Sequence, residues 1–166
     1  MKLGLVINRV NAEEKAIIKA CQKHGIDLQQ FNNQRMMLSL SSNKDIEPQM
    51  DLFLQRSLSL SRALYSTAIV EQKGYKIINS YDCIHISGDK LLSTLLLSKE
   101  GIPTPNTWAA FTPEESLEIC EKNIKYPVIS KPVIGSWGRM VAKLNDHDAA
   151  QALFEAKDNL DRKSVV

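Results

Sequence analysis

Lys131-Pro132-Val133-Ile134-Gly135-Ser136-Trp137-Gly138-Arg139 lies between two strand-like runs, Val128-Ile129-Ser130 before it and Met140-Val141-Ala142-Lys143-Leu144 after it. The pattern reads as strand, glycine-bearing loop, strand, with Lys131 at the end of the first strand. Glycines without a Cβ let backbone N–H groups approach a phosphate closely, and the flanking cations add charge. The stretch therefore suggests a nucleotide clamp. A second lysine, Lys90 in Ser87-Gly88-Asp89-Lys90, could converge on the same phosphates, neutralising charge and orienting the terminal one. Each residue also has a plainer reading. Lys131 suits a surface strand end, Gly135 and Gly138 suit a hairpin needing positive φ, and Lys90 suits an exposed first helical turn. Trp137 suits a packing plug. Spacing alone does not decide between the two.

Upstream of the clamp, strand and helix signals alternate. Leu3-Gly4-Leu5-Val6-Ile7 is a nearly continuous apolar run, as in a strand buried on both faces. Residues 12–24 have helical spacing, with Ile17, Ile18 and Cys21 on one side and Gly25 as the C′ residue. Further strands are expected at 26–31, 50–54 and 75–79, and a helix at 59–73 stopped by Gly74. Residues 32–47 read as loop or hairpin. Such a series implies a small open parallel-sheet domain over residues 1–85, with right-handed crossovers. It contains neither G-x-G-x-x-G nor G-x-x-x-x-G-K-[ST], so it does not hold a nucleotide in either common way.

Over residues 86–166 the order is α-β-α-β-β-α. A helix over 89–99 is stopped by Gly101, Pro103 and Pro105. A strand at 107–111 leads to Thr112 as N-cap, Pro113 at N1 and Glu115 completing a capping box. The clamp follows, then a last helix over 146–157. Residues 160–166 show no period and read as frayed.

Composition bounds the function. The chain has 166 residues, a net charge of +2 and 43% apolar residues, ordinary for a soluble globular protein, and the alternation above makes the expected class α/β. Basic residues are scattered, without a stripe of cations interleaved with aromatics, which argues against nucleic-acid binding. No apolar run reaches the roughly 20 residues that span a bilayer, and the N-terminus carries no signal-peptide pattern, so no membrane partner and a cytoplasmic location are expected. Cys21, Cys83 and Cys120 are isolated and read as buried thiols. His24, His85 and His147 are equally unclustered, so no metal site is expected.

Resemblance narrows this. The clamp, preceded by Gly88-Asp89-Lys90 and Gly101-Ile102-Pro103-Thr104-Pro105, closely resembles the ATP-grasp ligases. It is most similar to the lysine-biosynthesis branch, which joins 2-aminoadipate to an acidic amino-group carrier protein. The Gly-Ser-Trp-Gly-Arg form of the loop is specific to that branch. Gln55-Arg56-Ser57-Leu58-Ser59-Leu60-Ser61-Arg62 is similar to the family's serine- and arginine-containing strand-to-helix segment. The resemblance runs over essentially the whole chain and corresponds to a little over half of a typical member. It implies a pre-ATP-grasp domain followed by the small α+β lobe of an ATP-grasp fold, with the C-terminal lobe absent.

The resemblance further implies that Lys90 and Lys131 contact ATP, and that Gly135, Ser136, Trp137, Gly138, Arg139, Met140 and Val141 form the phosphate-covering loop and adjoining strand. Arg56, Arg62 and the serines between them would face the acceptor or carrier, the alternative being an anion site or a simple helix cap. The family's adenine hinge, magnesium-binding Glu/Asn set and substrate loop fall downstream. No catalytic residue or magnesium ligand is therefore assigned in this chain, which is expected to be catalytically silent alone. The implied parent reaction uses ATP and magnesium to activate a carboxylate as an acyl phosphate, which an amine attacks, giving amide, ADP and phosphate. The carrier's terminal glutamate would be the carboxylate, and 2-aminoadipate or glutamate the amine. Alternatives are another ATP-grasp glutamate ligase, modifying a ribosomal protein or cofactor, and a non-catalytic nucleotide-binding fragment. Trp137 and Arg139 argue against the first. Self-association into a homo-oligomer through exposed apolar surface is a further expectation.

Overall fold

The computed structural model describes residues 1–41, 46–135, 137–158 and 164–165. Ser136 of the expected loop lies outside the described residues. The chain divides into two compact units, Met1–His85 and Ile86–Val166.

The first unit holds β1 (Lys2–Ile7), α1 (Ala12–Lys23), β2 (Asp27–Asn32), β3 (Leu52–Gln55), α2 (Leu60–Gln72) and β4 (Ile77–Ile78). All pairs are parallel, in the order β2-β1-β3-β4. β1 is central and buried from Leu3 to Ile7, as its unbroken apolar run dictates. Gly4 interrupts that run for a reason of space. It pairs with Phe53 on β3, and a Cβ there would lie 2.5 Å from the Phe53 ring. That ring is fully buried, packed edge-on to Tyr75 and tilted against Phe31. Val6, Met50, Val70 and Ile77 complete the core.

Helix α1 starts on a buried carboxylate. The Asn11 backbone N–H donates to Glu14 Oε2 at 3.0 Å, and Arg56 Nε donates to Glu14 Oε1 at 3.1 Å. Burial pushes the Glu14 carboxyl up, but the Asn11 bond and the Arg56 guanidinium outweigh it and hold it below the usual range. Helix α3 (Tyr81–Gly88) was not anticipated: it buries no residue, so it carries no apolar stripe to read. For the same reason Cys83 is exposed, whereas Cys21 and Cys120 are buried thiols. The strand expected at 75–79 shortens to the two residues of β4.

The second unit holds α4 (Lys90–Lys99), β5 (Ala109–Ala110), α5 (Pro113–Glu118), β6 (Val128–Pro132), β7 (Ala142–Leu144), α6 (His147–Asp158) and β8 (Ser164–Val165). Helix α5 continues as a π-helical turn, Ile119–Ile124. The sheet is antiparallel, in the order β5-β8-β6-β7. β8 corrects the reading of a wholly frayed tail. It is too short to show a period, yet it pairs Val165 with Lys131 and Ser164 with Pro132. The core packs Cys120, Val128 and Leu144 against Ala150 and Phe154 of α6.

One side chain in this unit is out of keeping with an apolar interior. Lys157 is 2% exposed, and its Nζ donates to the fully buried Ser130 Oγ at 2.8 Å. No carboxylate pairs with it among the described residues. Burial pushes its ammonium below the ordinary lysine value of 10.5. No helix among the described residues is long and apolar enough to cross a membrane.

Two stability predictions follow from these contacts. Gly4→Ala forces the Phe53 ring to move and should lower the unfolding free energy by about 1–3 kcal/mol in urea titration; an unchanged midpoint would mean the core yields freely. For Lys157, the unfolded chain holds a proton that the folded chain sheds between its lowered pKa and 10.5, so stability rises with pH across that window and falls as pH drops through it. Lys157→Met should therefore be more stable than the parent at pH 7, with the difference shrinking towards pH 10.5 in parallel melts.

Candidate nucleotide site

Strand β6 alternates. Val128, Ser130 and Pro132 are buried, while Ile129 is 50% exposed and Lys131 is partly exposed on the opposite face. Lys143 of β7 pairs with Ile129 and is also exposed. Lys131, Ile129 and Lys143 therefore share the open face of the sheet, away from α6. Neither lysine's ammonium has a hydrogen bond or ion pair among the described residues.

Lys90 is brought to the same place by backbone bonding. Its N–H donates to Val133 O at 3.0 Å, and Asp89 forms an antiparallel bridge with Ile134. The Lys90 ammonium donates to Gly135 O at 2.8 Å. Asp89 caps α4, its Oδ1 accepting from Leu91 N–H at 2.8 Å and Leu92 N–H at 2.9 Å. The first-turn donors of α4 are thus already used, and the free positive charge here belongs to the Lys90 side chain.

The loop joining β6 to β7 is an exposed turn. Trp137, Gly138 and Met140 have φ of 62°, 67° and 60°, and Val141 N–H donates to Gly138 O at 3.2 Å. Gly138 takes this left-handed geometry without strain; Trp137 and Met140 do so at about 1 kcal/mol each. Trp137 is 75% exposed, so it does not act as a packing plug. Gly135 and Arg139 are exposed as well. The structure thus brings Lys90, Lys131, Gly135 and the turn at Trp137–Val141 to one end of one sheet. Sequence reading missed Ile129 and Lys143, although the alternation of β6 and the hairpin register could have pointed to both. Among the described residues no group of three His, Cys, Asp or Glu side chains is placed to hold a metal ion.

The strand-to-helix segment after β3 is built around Gln55. Its Nε2 donates to Ser66 Oγ at 2.9 Å and Thr67 Oγ1 at 3.1 Å, and its Oε1 accepts from Ser57 N–H at 3.1 Å. Leu58 N–H donates to Asn8 Oδ1 at 3.1 Å, closing the gap between the β1 and β3 ends where the strand order reverses. Arg56 is committed to Glu14, whereas Arg62 is exposed, its guanidinium unpaired among the described residues.

Residues 3–86 match the LysX preATP-grasp domain family and residues 87–165 the RimK-like ATP-grasp domain family. The alpha-aminoadipate–LysW ligase LysX of Saccharolobus solfataricus is 37% identical over 146 residues, covering 88% of this chain and 52% of that protein. The glutamate–LysW ligase ArgX of Sulfolobus acidocaldarius is 35% identical, covering 100% of this chain and 55% of that protein. The chain thus spans about half the length of these curated relatives. A RimK domain ATP-grasp protein from Sphaerobacter thermophilus has the same fold, with a TM-score of 0.85 at 22% identity over 100% of this chain and 62% of that one. Two family matches laid end to end, and relatives that align along nearly every residue, converge on one classification: the chain belongs to the ATP-grasp family, as a LysX preATP-grasp domain joined to RimK-like ATP-grasp sequence.

Proposed function

We propose that the chain supplies the phosphate-gripping part of an ATP-dependent carboxylate–amine ligase, one that joins 2-aminoadipate or glutamate to a carrier protein of the LysW kind. The observation that carries this reading is the anchoring of Lys90 on Val133 and Gly135, at the same sheet end as Lys131, whose ammonium is unpaired among the described residues, and an exposed glycine-bearing turn. Two cations and a turn at one sheet end suit a polyphosphate. Ile129, half exposed on the same face, offers apolar surface to a base. The names of the LysX and ArgX relatives support the amine and the carrier.

ATP fits these residues, and when bound it would supply the phosphoryl group that activates a carboxylate. The carboxylate oxygen attacks the terminal phosphorus, ADP leaves, and the amine then displaces phosphate to form the amide. Lys131 and Lys90 neutralise phosphate charge, with Lys90 exchanging the Gly135 carbonyl for a phosphate oxygen. The turn from Gly135 through Ser136, Trp137, Gly138, Arg139, Met140 and Val141 covers the phosphates and excludes water, which protects an acyl phosphate from hydrolysis. Magnesium would be held by residues other than these.

Lys131→Ala should weaken magnesium–ATP binding about tenfold or more relative to Lys15→Ala, a charged hydrogen bond contributing roughly 1.5–3 kcal/mol. Isothermal titration calorimetry reads this directly, and equal affinities would reject the role of Lys131.

A further inference from the structure

The interior of the second unit holds an amine that neither the core nor the chemistry on the open face of the sheet requires. Lys157 is 2% exposed, and Ser130, its hydrogen-bond partner at 2.8 Å, is fully buried. Both ends of that bond are closed to solvent, so the pair does not serve as a serine–lysine nucleophile for an outside substrate. Its position suggests another use. Ser130 points from β6 towards α6, while Lys131, the next residue, points to the open face. The buried amine therefore lies under the strand that presents Lys131.

The surroundings leave a charge at this point unopposed among the described residues. The carboxylates on the elements packed around it turn outward: Glu118 of α5 to Lys122, Glu121 of the π turn to His147 and Glu155 of α6 to Gln151. Glu114, Glu115 and Asp158 are exposed, and Asp146 and Asp148 stand at the opposite end of α6. Strands β5 and β8 carry no titratable residue, and those of β6 and β7, Lys131 and Lys143, belong to the other face. Cys120 and Tyr126, in the same core, are pushed up by burial and stay neutral. The last turn of α6 favours the ammonium, because its partial negative end suits a cation. Burial opposes it and pushes the amine below its ordinary value. A group balanced in this way responds to a new charge nearby. Across one sheet, a separation on the order of 10 Å, two unit charges at an effective dielectric constant of about 20 bias an equilibrium roughly tenfold.

We propose that Lys157 is a through-sheet determinant of nucleotide affinity: phosphates held above β6 draw a proton from solvent onto the amine beneath it, and the ammonium so formed strengthens their binding. This rests on the ligase reading for the polyphosphate on the open face, and goes beyond it in coupling that site to pH. Lys157 touches no part of the nucleotide; it acts across Ser130 and the strand. Affinity then falls as pH rises through the titration of this amine.

The test is calorimetric titration of the full chain with magnesium–ATP from pH 7 to pH 10. Each point is run in two buffers of unequal ionisation enthalpy, which counts the protons taken up on binding. Lys157→Met keeps the length of the side chain, cannot titrate and is expected to fold more stably than the parent. The parent should take up more protons per nucleotide than this variant and bind about three- to tenfold more tightly at pH 7, the ratio narrowing towards pH 10. Ser130→Ala leaves the open face untouched and removes the hydroxyl that accepts from the ammonium, so the window of excess uptake should move to lower pH. Equal proton counts in parent and Lys157→Met, or an unmoved window in Ser130→Ala, would overturn the proposal. So would an affinity ratio that is the same at every pH, which is what a purely structural lysine would give. Lys131→Ala, titrated alongside, keeps the two readings apart. If it weakens binding while the Lys157 difference is absent, the ligase reading stands and the role of Lys157 falls; if the parent does not bind magnesium–ATP, both fall.

Discussion

The hydrogen bond from the Lys90 N–H to the Val133 carbonyl carries more of this architecture than its 3.0 Å suggests. Asp89 has already satisfied the next two donors of α4, so the helix begins with its backbone demands met. Lys90 is left to face outward, across the bridge between Asp89 and Ile134. Its Cα is then fixed over the end of β6, and its ammonium falls within reach of Gly135. Lys90 and Lys131, from separate elements, lie at the same sheet end because a main-chain bond, rather than a flexible side chain, sets their relation. Without it, Lys90 would be an ordinary cation in the first turn of a surface helix.

The two units treat buried polarity differently. In the first, Gln55 divides its amide among several acceptors and donors, and Glu14 is met by a backbone N–H and a guanidinium. The Gln55 amide and the Glu14 carboxylate are both answered, so these two groups are buried at little cost. In the second, Lys157 has Ser130 as its one partner among the described residues. That bond ties α6 to the strand that presents Lys131 on its other face. The Lys157 ammonium meets Ser130 beneath the sheet, and Lys131, the next residue of β6, faces the other side.

Much of this could be read from the chain and some could not, for identifiable reasons. β1 was legible because burial on both faces leaves an unbroken apolar run, and the start of α5 because Thr112 Oγ1 does accept the Glu115 N–H, at 3.2 Å. A reciprocal carboxylate-to-backbone bond occurs instead at Asn11 and Glu14, where Arg56 holds the carboxylate in place. α3 and β8 escaped notice because one buries nothing and the other is two residues long. At the site, glycines and lysines were visible locally. The link between Lys90 and Val133 was not, since it joins segments far apart in sequence, and the burial of Lys157 depends on the packing of α6.

The lateral margins of the two sheets have a consequence for how the protein behaves at high concentration. β4 and β5 are two residues long and β7 is three, and each ends its sheet. Such stubs offer too few unpaired main-chain groups to template an incoming strand. Among the described residues only β2 presents a margin of ordinary length, and there Asp27, Gln29 and Gln30 are charged or polar. Amyloid-like ladder growth is thereby disfavoured along every margin, and any clumping of the chain would be governed by exposed leucines such as Leu95 and Leu96 on α4.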